Sequence, residues 1–163
     1  MQSVARNLNE TYSATPEAVA DARAKLATFA ADAGATPQQV DAVRLAVSEA
    51  MTNSVIHAYR GEPGSVYVNA ALVSGELWIL VSDDGCGLTP SADRPGLGLG
   101  LGLISQVADD FAVVSRASGG TEVRIRFNLA ASAGASSSGA PELDGRSGRE
   151  PGQQGFTAAM SPA

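Results

Sequence analysis

The sequence predicts a two-layer α/β sandwich in which helices cover one face of a mostly antiparallel β-sheet. Three observations favour this fold class. Two segments in the first 60 residues carry helix start signals followed by apolar residues at helical spacing. Two later stretches have the pattern of β-hairpins, and a short helical segment lies between them. This order of helices, hairpin, helix and hairpin lets the helices pack against a single sheet.

The two N-terminal helices are predicted from their capping sequences. We expect the first over residues 16–34, because Thr15 is typical of an N-cap and a proline follows it at the first helical position. We expect the second over residues 37–59, because Thr36 and Gln39 have the spacing of a capping box. The second helix carries an apolar stripe at helical spacing, formed by Val40, Val43, Val47 and Met51.

The second half of the chain has the periodicity of β-strands. Residues 66–73 and 77–82 predict a hairpin whose second strand is apolar throughout and therefore central in the sheet. A third helix is expected over roughly residues 99–109. Residues 111–116 and 121–129 predict a second hairpin, and the last segment alternates apolar with polar side chains, so that one of its faces is buried.

The composition indicates one globular domain followed by a tail. Of 163 residues, 44% are hydrophobic and 17% are charged, which is typical of a domain that can bury a core without disulfides. We assign residues 1–129 to that domain. Residues 130–163 are rich in Ala, Ser, Gly and Pro without periodicity, so we expect a disordered tail.

Charge and hydropathy argue against several classes of function. The net charge of −6 and the scattered basic residues give no footprint for direct nucleic-acid binding. No apolar run is long enough to cross a membrane, and the N-terminus lacks a secretory pattern, so we expect a cytoplasmic protein. The single cysteine, Cys86, has no Cys or His cluster near it and is expected to be incidental.

Two polar side chains of the second helix are candidates for chemistry. Glu49 and Asn53 are four residues apart, so they share one helix face, one turn apart. An amide oxygen suits Mg²⁺, and a carboxylate can act as a general base. The alternative is a polar pair on a solvated helix face.

The loop that follows the central strand combines an acid with glycines. Asp83 comes directly after the strand, and Gly85 and Gly87 permit close approach of the backbone to a ligand. An ionised carboxylate only accepts hydrogen bonds, so Asp83 can bind the exocyclic amine of adenine, whereas guanine offers a carbonyl oxygen there. By itself, Asp-Asp-Gly is also an ordinary turn.

A run of alternating glycines precedes the third helix, at positions 96, 98, 100 and 102. Their amides, together with the positive end of the helix dipole, form a suitable phosphate site. The spacing does not fit a P-loop, because no Gly-Lys-Ser/Thr follows. The Gly-Leu repeat could instead be low complexity or an irregular strand.

In their order and spacing, these segments resemble the sequence boxes of GHKL ATPases. AVSEAMTNSVIHAY is similar to the N-box, VSDDGCGL to the G1 box and GLGLGLISQVAD to the G2 box, and Gly120-Thr121 stands at the place of the final Gly-Thr element. The resemblance covers about residues 10–129 and implies a Bergerat-type fold that binds ATP. The forms of the N-box and of the G2 helix look most like those of the anti-sigma factor serine-protein kinases.

That resemblance implies an activity, partners and site residues. Such a protein uses ATP and Mg²⁺, binds a sigma factor, phosphorylates a serine on a small STAS-type anti-sigma antagonist, and is expected to be a homodimer. Glu49 would be the catalytic base, Asn53 the Mg²⁺ ligand at the nucleotide, and Asp83 the adenine ligand. The other nucleotide-binding residues would shape the pocket, bind phosphate or support the adenine contact, and they are Gly85, Gly87, Gly98, Gly100, Leu101, Gly102 and Thr121.

The chain departs from the family pattern in its short ATP lid, residues 88–97. Arg94 is the only cation in that segment and is our candidate for a γ-phosphate contact, the alternative being a solvated loop arginine. His57 follows Asn53 by four residues and could approach the same site. A packing or helix-end role is favoured for it, because the helix dipole stabilises a histidine there.

Two other functions are compatible with such a pocket. One is a nucleotide-gated binding module without catalysis, which would not need the general base Glu49. The other is the catalytic ATPase domain of a histidine-kinase-like system. That system needs a phospho-accepting histidine on a preceding helical hairpin, and the one histidine of this chain, His57, lies inside the N-box helix.

Overall fold

The computed structural model describes residues 6–87 and 99–129. Predictions on residues 88–98, which include Arg94 and Gly98, and on the tail 130–163 lie outside this part of the chain. The elements are, in chain order, β1 (Arg6–Ser13), α1 (Pro16–Asp32), α2 (Pro37–Thr52), a π-helical segment (Asn53–Ala58), β2 (Ser65–Val73), β3 (Glu76–Asp83), α3 (Leu99–Val107), β4 (Asp110–Ser115) and β5 (Thr121–Asn128).

The described strands form a five-stranded antiparallel sheet with the order β1-β2-β3-β5-β4. Both predicted hairpins are confirmed. β3 lies in the centre, as its apolar sequence predicts, and its Val81 pairs with Val68 of β2 and with Val123 of β5. The C-terminal end of β3 and the start of β5 are therefore held in place, because β3 is paired on both sides.

β1 is a strand that the sequence analysis did not predict. It pairs with β2 over its eight residues, starting with Arg6 opposite Leu72. Only Leu8 and Tyr12 of this segment pack against the core, and two apolar residues are too sparse a pattern to predict a strand. The predicted order of elements, which started with a helix, was incomplete at this point.

The helices cover one face of the sheet, which confirms the predicted two-layer α/β sandwich. Leu26 of α1, Met51 of α2 and Ile104 of α3 are completely buried, and so are the inward-facing Ile79 and Ile125 of the central strands. The opposite face of the sheet is mixed, because Arg124 and Arg126 of β5 pair in register with the half-buried Leu80 and Trp78 of β3. None of the described helices is long and apolar enough to cross a membrane.

The predicted helix starts are confirmed, with one difference in detail. At the start of α2, Thr36 Oγ1 accepts a hydrogen bond from the Gln39 amide at 3.3 Å, and Gln39 Oε1 accepts one from the Thr36 amide at 3.0 Å. Gln39 Nε2 also donates to the Asn128 carbonyl of β5, which ties the helix to the sheet. Thr15 occupies the N-cap position of α1, but its side chain makes no capping hydrogen bond.

Candidate functional site

Three parts of the chain meet where β3 ends, and the start of α3 is joined to them through α2. The π-helical segment after α2 contacts the end of β3 through a hydrogen bond from Ser54 to Asp83. The first residue of β5, Thr121, bonds to the same aspartate. The first turn of α3 reaches α2 through the approach of Gly100 to Glu49. The fold thus brings together the three sequence boxes that the analysis predicted to act jointly.

The Asp83 carboxylate is buried and is held by three donors. Its residue is 3% exposed. Oδ1 accepts from the Gly85 amide at 3.1 Å and from the Thr121 amide at 3.2 Å, while Oδ2 accepts from Ser54 Oγ at 3.0 Å. An ionised carboxylate has about four acceptor sites, so one site on Oδ2 remains for a ligand.

The glycines around Asp83 let the backbone approach closely. A β-carbon added to Gly85 would collide with the Ala58 carbonyl group, which itself accepts a hydrogen bond from the Cys86 amide at 2.8 Å. Gly120 has a φ of +82°, and a β-carbon there would collide with the Asp83 carbonyl group. Gly87 has a φ of +72°, which also favours glycine.

Arg116 fixes the backbone of the same loop from the face of the sheet that the helices do not cover. Its guanidinium donates to the Asp83 carbonyl at 3.0 Å and pairs with the Asp84 carboxylate at 2.5 Å. It also lies over the Tyr67 ring, 5.9 Å from the ring centroid. A hydrogen bond with the Asp84 carboxylate raises the pKa of Tyr67. Asp84 therefore faces Arg116 and Tyr67, whereas Asp83 faces inward.

Glu49 lies directly against the first turn of α3. A β-carbon added to Gly100 would stand 2.5 Å from Oε2 of Glu49, so only glycine allows this approach without a shift. Leu101 is half-buried and packs against the core, whereas a β-carbon at Gly102 would meet nothing within 4 Å among the described residues. The carboxylate and the glycine-rich helix start are thus neighbours.

Asn53 begins the π-helical segment, one turn after Glu49. Its backbone amide bonds to the carbonyls of Glu49 and Ala50. Its side-chain Nδ2 is buried and has no hydrogen-bond partner in the described part of the chain. Buried polar atoms are rarely left without a partner, so this amide is available for a ligand. His57 is half-buried near the end of the segment, where its carbonyl contacts Cys86 Sγ at 3.5 Å.

The structure therefore brings most of the predicted site residues together. Gly85 and Thr121 bond to Asp83, and Gly87 lies beside Gly120 at the same strand end. Asn53 is adjacent to Ser54, which also bonds to Asp83. Glu49, one turn earlier, contacts Gly100 in the α3 turn that includes Leu101 and Gly102. Arg94 and Gly98 lie outside the described residues. Cys86 is exposed and unpaired, and the described residues contain no group of three or more His, Cys, Asp or Glu side chains suited to a metal ion.

Sequence reasoning missed two residues that hold Asp83, namely Ser54 and Arg116. Ser54 follows Val47 by seven residues and so continues the apolar stripe of α2, and a hydroxyl on a buried stripe is a signal for an internal partner. Arg116 offers no comparable signal, because a charged residue at the end of a strand is usually solvated.

The chain is similar to known proteins over most of its length. Residues 12–127 match the family described as the histidine kinase-like ATPase domain. An anti-sigma F factor of Shouchella clausii is 29% identical, and the match covers 77% of this chain and 94% of that protein. Proteins of the same name from Clostridium acetobutylicum and Heyndrickxia coagulans are 31% and 33% identical, over 80% of this chain and 92% and 91% of their own lengths.

One solved structure is also similar. A crystal structure of the RsbU and RsbW domains of a Mycobacterium tuberculosis protein matches with a TM-score of 0.61 and 26% identity. The match covers 76% of this chain and 32% of that one.

Proposed function

Because this chain belongs to the histidine kinase-like ATPase domain family, of the GHKL type, we propose that it is an anti-sigma factor with serine-protein kinase activity. It binds a sigma factor, and it uses ATP to phosphorylate a serine on a small antagonist protein of the STAS type. The names of the relatives support the first part, and their match over at least 91% of their own lengths supports a shared architecture. By the same likeness, the protein acts as a homodimer in the cytoplasm.

The observation that carries the kinase activity is the contact between Glu49 and the start of α3. If the start of α3 binds phosphate, a carboxylate beside it is within reach of the hydroxyl that attacks the γ-phosphate, and the approach of Glu49 to Gly100 supports that role. A pocket that only binds nucleotide has no need for a base in this position. This contact favours a kinase over a binding module.

Asp83 recognises the base of the nucleotide. Its remaining acceptor site on Oδ2 receives the 6-amino group of adenine, while Gly85 and Thr121 hold Oδ1 in place. Guanine would direct a carbonyl oxygen at this carboxylate and leave two acceptors facing each other. The pocket therefore selects adenine nucleotides.

The residues present fit a magnesium ion that is bound mainly by the nucleotide. Nδ2 of Asn53 is buried without a protein partner among the described residues, and as a donor it suits a phosphate oxygen of the nucleotide. The oxygen of the same amide would be the protein's Mg²⁺ ligand, and phosphate oxygens and water would supply the others. When bound, Mg²⁺ neutralises charge on the phosphate groups.

Phosphoryl transfer then follows from the positions of these groups. Glu49 accepts the proton of the antagonist's serine hydroxyl as its oxygen bonds to the γ-phosphorus, and the bond from that phosphorus to the β-phosphate oxygen breaks, releasing ADP. The amides of Gly98, Gly100 and Gly102 at the start of α3 stabilise the phosphate charge. Arg94 contributes a further positive charge at the γ-phosphate.

The test is a phosphorylation assay with labelled ATP and candidate STAS-type antagonist domains, followed by detection of phosphoserine. We expect transfer by the parent protein and at least about a hundredfold slower transfer by Glu49→Ala, which should still bind Mg-ATP nearly normally. Loss of ATP binding in Glu49→Ala would indicate a structural role instead. If the parent held a sigma factor in an ATP-dependent way but phosphorylated no antagonist, the binding module would be correct.

A further inference from the structure

Ser54 contacts the Asp83 carboxylate from inside the protein. Its residue is 3% exposed, and its Oγ donates to Oδ2 of Asp83 over 3.0 Å. It lies one residue after Asn53, in the π-helical segment, on the side that faces the core. A buried hydroxyl needs a partner, and here the partner is the aspartate that faces the base of the nucleotide.

The three donors to Asp83 differ in kind. The two that bind Oδ1 are backbone amides, of Gly85 and Thr121, and their positions follow from the fold itself. The donor to Oδ2 is a side chain. Oδ2 is also the oxygen that keeps an acceptor site for a ligand, so Ser54 acts directly on the atom that meets the nucleotide.

We propose that Ser54 is a positioning residue that makes the pocket specific for the 6-amino group of adenine. By occupying one acceptor site of Oδ2, the hydroxyl fixes the carboxylate about its side-chain torsion and directs the remaining site toward the amine. Without it, Oδ2 is a buried acceptor lacking its protein partner, and only the two amides at Oδ1 restrain the carboxylate torsion. The inference rests on the proposed function, because it assigns a part to the adenine pocket.

The decisive comparison uses two nucleotides that differ only at position 6 of the purine. ATP carries the amine, and purine riboside triphosphate carries hydrogen. We expect Ser54→Ala to weaken ATP binding roughly tenfold, the size of one hydrogen bond to a charged group, and to change binding of purine riboside triphosphate less than twofold. A purely structural effect of the substitution would weaken both nucleotides equally.

Ser48→Ala is the matched control. Ser48 lies on α2 as well, and its hydroxyl donates to the Arg44 carbonyl at 2.7 Å, away from Asp83. The control should keep the parent's preference for ATP. Circular dichroism checks the fold, and if Ser54→Ala does not fold, Ser54→Cys decides, because a thiol of similar size is a weak donor and should also reduce the preference.

The outcomes separate this proposal from the proposed function. If the parent binds neither nucleotide, the proposed function fails. If the parent prefers ATP and Ser54→Ala keeps that preference, or loses affinity for both nucleotides to the same extent, the assignment of Ser54 alone is overturned. Selective loss of ATP affinity in Ser54→Ala, with no loss in Ser48→Ala, supports it.

Discussion

The two carboxylate oxygens of Asp83 accept hydrogen bonds from three donors, and the side-chain amide of an asparagine could not accept all of them. Asparagine would direct its NH₂ group either at the amides that bind Oδ1 or at the hydroxyl of Ser54 and the adenine amine. We expect Asp83→Asn to abolish measurable ATP binding, by at least about a hundredfold, while the fold remains. Isothermal titration calorimetry on the folded variant measures this.

Asp84→Asn is the control for that experiment. Asp84 is adjacent in sequence, but its carboxylate faces Arg116 instead of the pocket. The Asp84→Asn variant should bind ATP with nearly the affinity of the parent protein. ATP affinity of Asp83→Asn within a factor of two of the parent would remove Asp83 from the site.

Asn53 is expected to matter through the metal. We predict that Asn53→Ala makes activity and nucleotide retention insensitive to Mg²⁺, because the described residues offer few other oxygens that could bind the ion. A magnesium titration of nucleotide retention measures the effect. Asn69→Ala, on β2, is a control that should respond to Mg²⁺ like the parent. An unchanged titration in Asn53→Ala would mean that its amide points elsewhere.

At the scale of elements, α2 carries the proposed base Glu49, and a capping box closes the start of this helix. Thr36→Ala removes the hydroxyl that accepts from the Gln39 amide, and such a loss costs about 1 kcal/mol. For a domain of this size we expect the melting temperature to fall by roughly 4 °C. Thermal denaturation followed by circular dichroism measures it.

The matched control is Thr28→Ala. Thr28 lies on an exposed part of α1, and its hydroxyl donates only to the Ala24 carbonyl of its own helix. It should change the melting temperature by no more than a degree or so. Equal effects of the two substitutions would show that the capping box contributes nothing specific.

The elements could be predicted where local sequence determines them. The capping box of Thr36 and the alternation of residues 121–128 depend on neighbours in sequence, so both were predictable. β1 was not, because its strand state depends on pairing with β2, which is distant in the chain. The π-helical geometry of Asn53–Ala58 also depends on distant contacts, such as that of Ala58 with Cys86.

The site followed the same rule. Glu49, Asn53 and Asp83 could be proposed as site residues from residue type, spacing and box order, and their roles stay predictions. Ser54 and Arg116 could not be predicted, because their roles depend on contacts that only the folded chain shows. Ser54 donates to the carboxylate of Asp83, and Arg116 donates to its backbone carbonyl. Residue patterns thus indicate candidate groups for the chemistry, whereas the folded chain is needed to find the residues that hold those groups in place.

At the scale of the whole molecule, the pocket is assembled from segments that are distant in the chain. The contact of Asp83 with Ser54 joins residues 29 apart, and its contact with Thr121 joins residues 38 apart. Both contacts require that β3 is paired on its β5 side and covered by the end of α2. An unfolded chain therefore has no such pocket.

A thermodynamic consequence of the proposed function is that ATP acts as a folding ligand as well as a substrate. A nucleotide that binds only the folded form stabilises it by about 2.7 kcal/mol when its concentration is a hundred times the dissociation constant. Saturating Mg-ATP should raise the melting temperature of the parent and leave that of Asp83→Asn unchanged, which differential scanning fluorimetry can measure. On the proposed function, a lower ATP concentration slows phosphoryl transfer and also exposes the protein more often to proteases, because the unliganded domain opens more often.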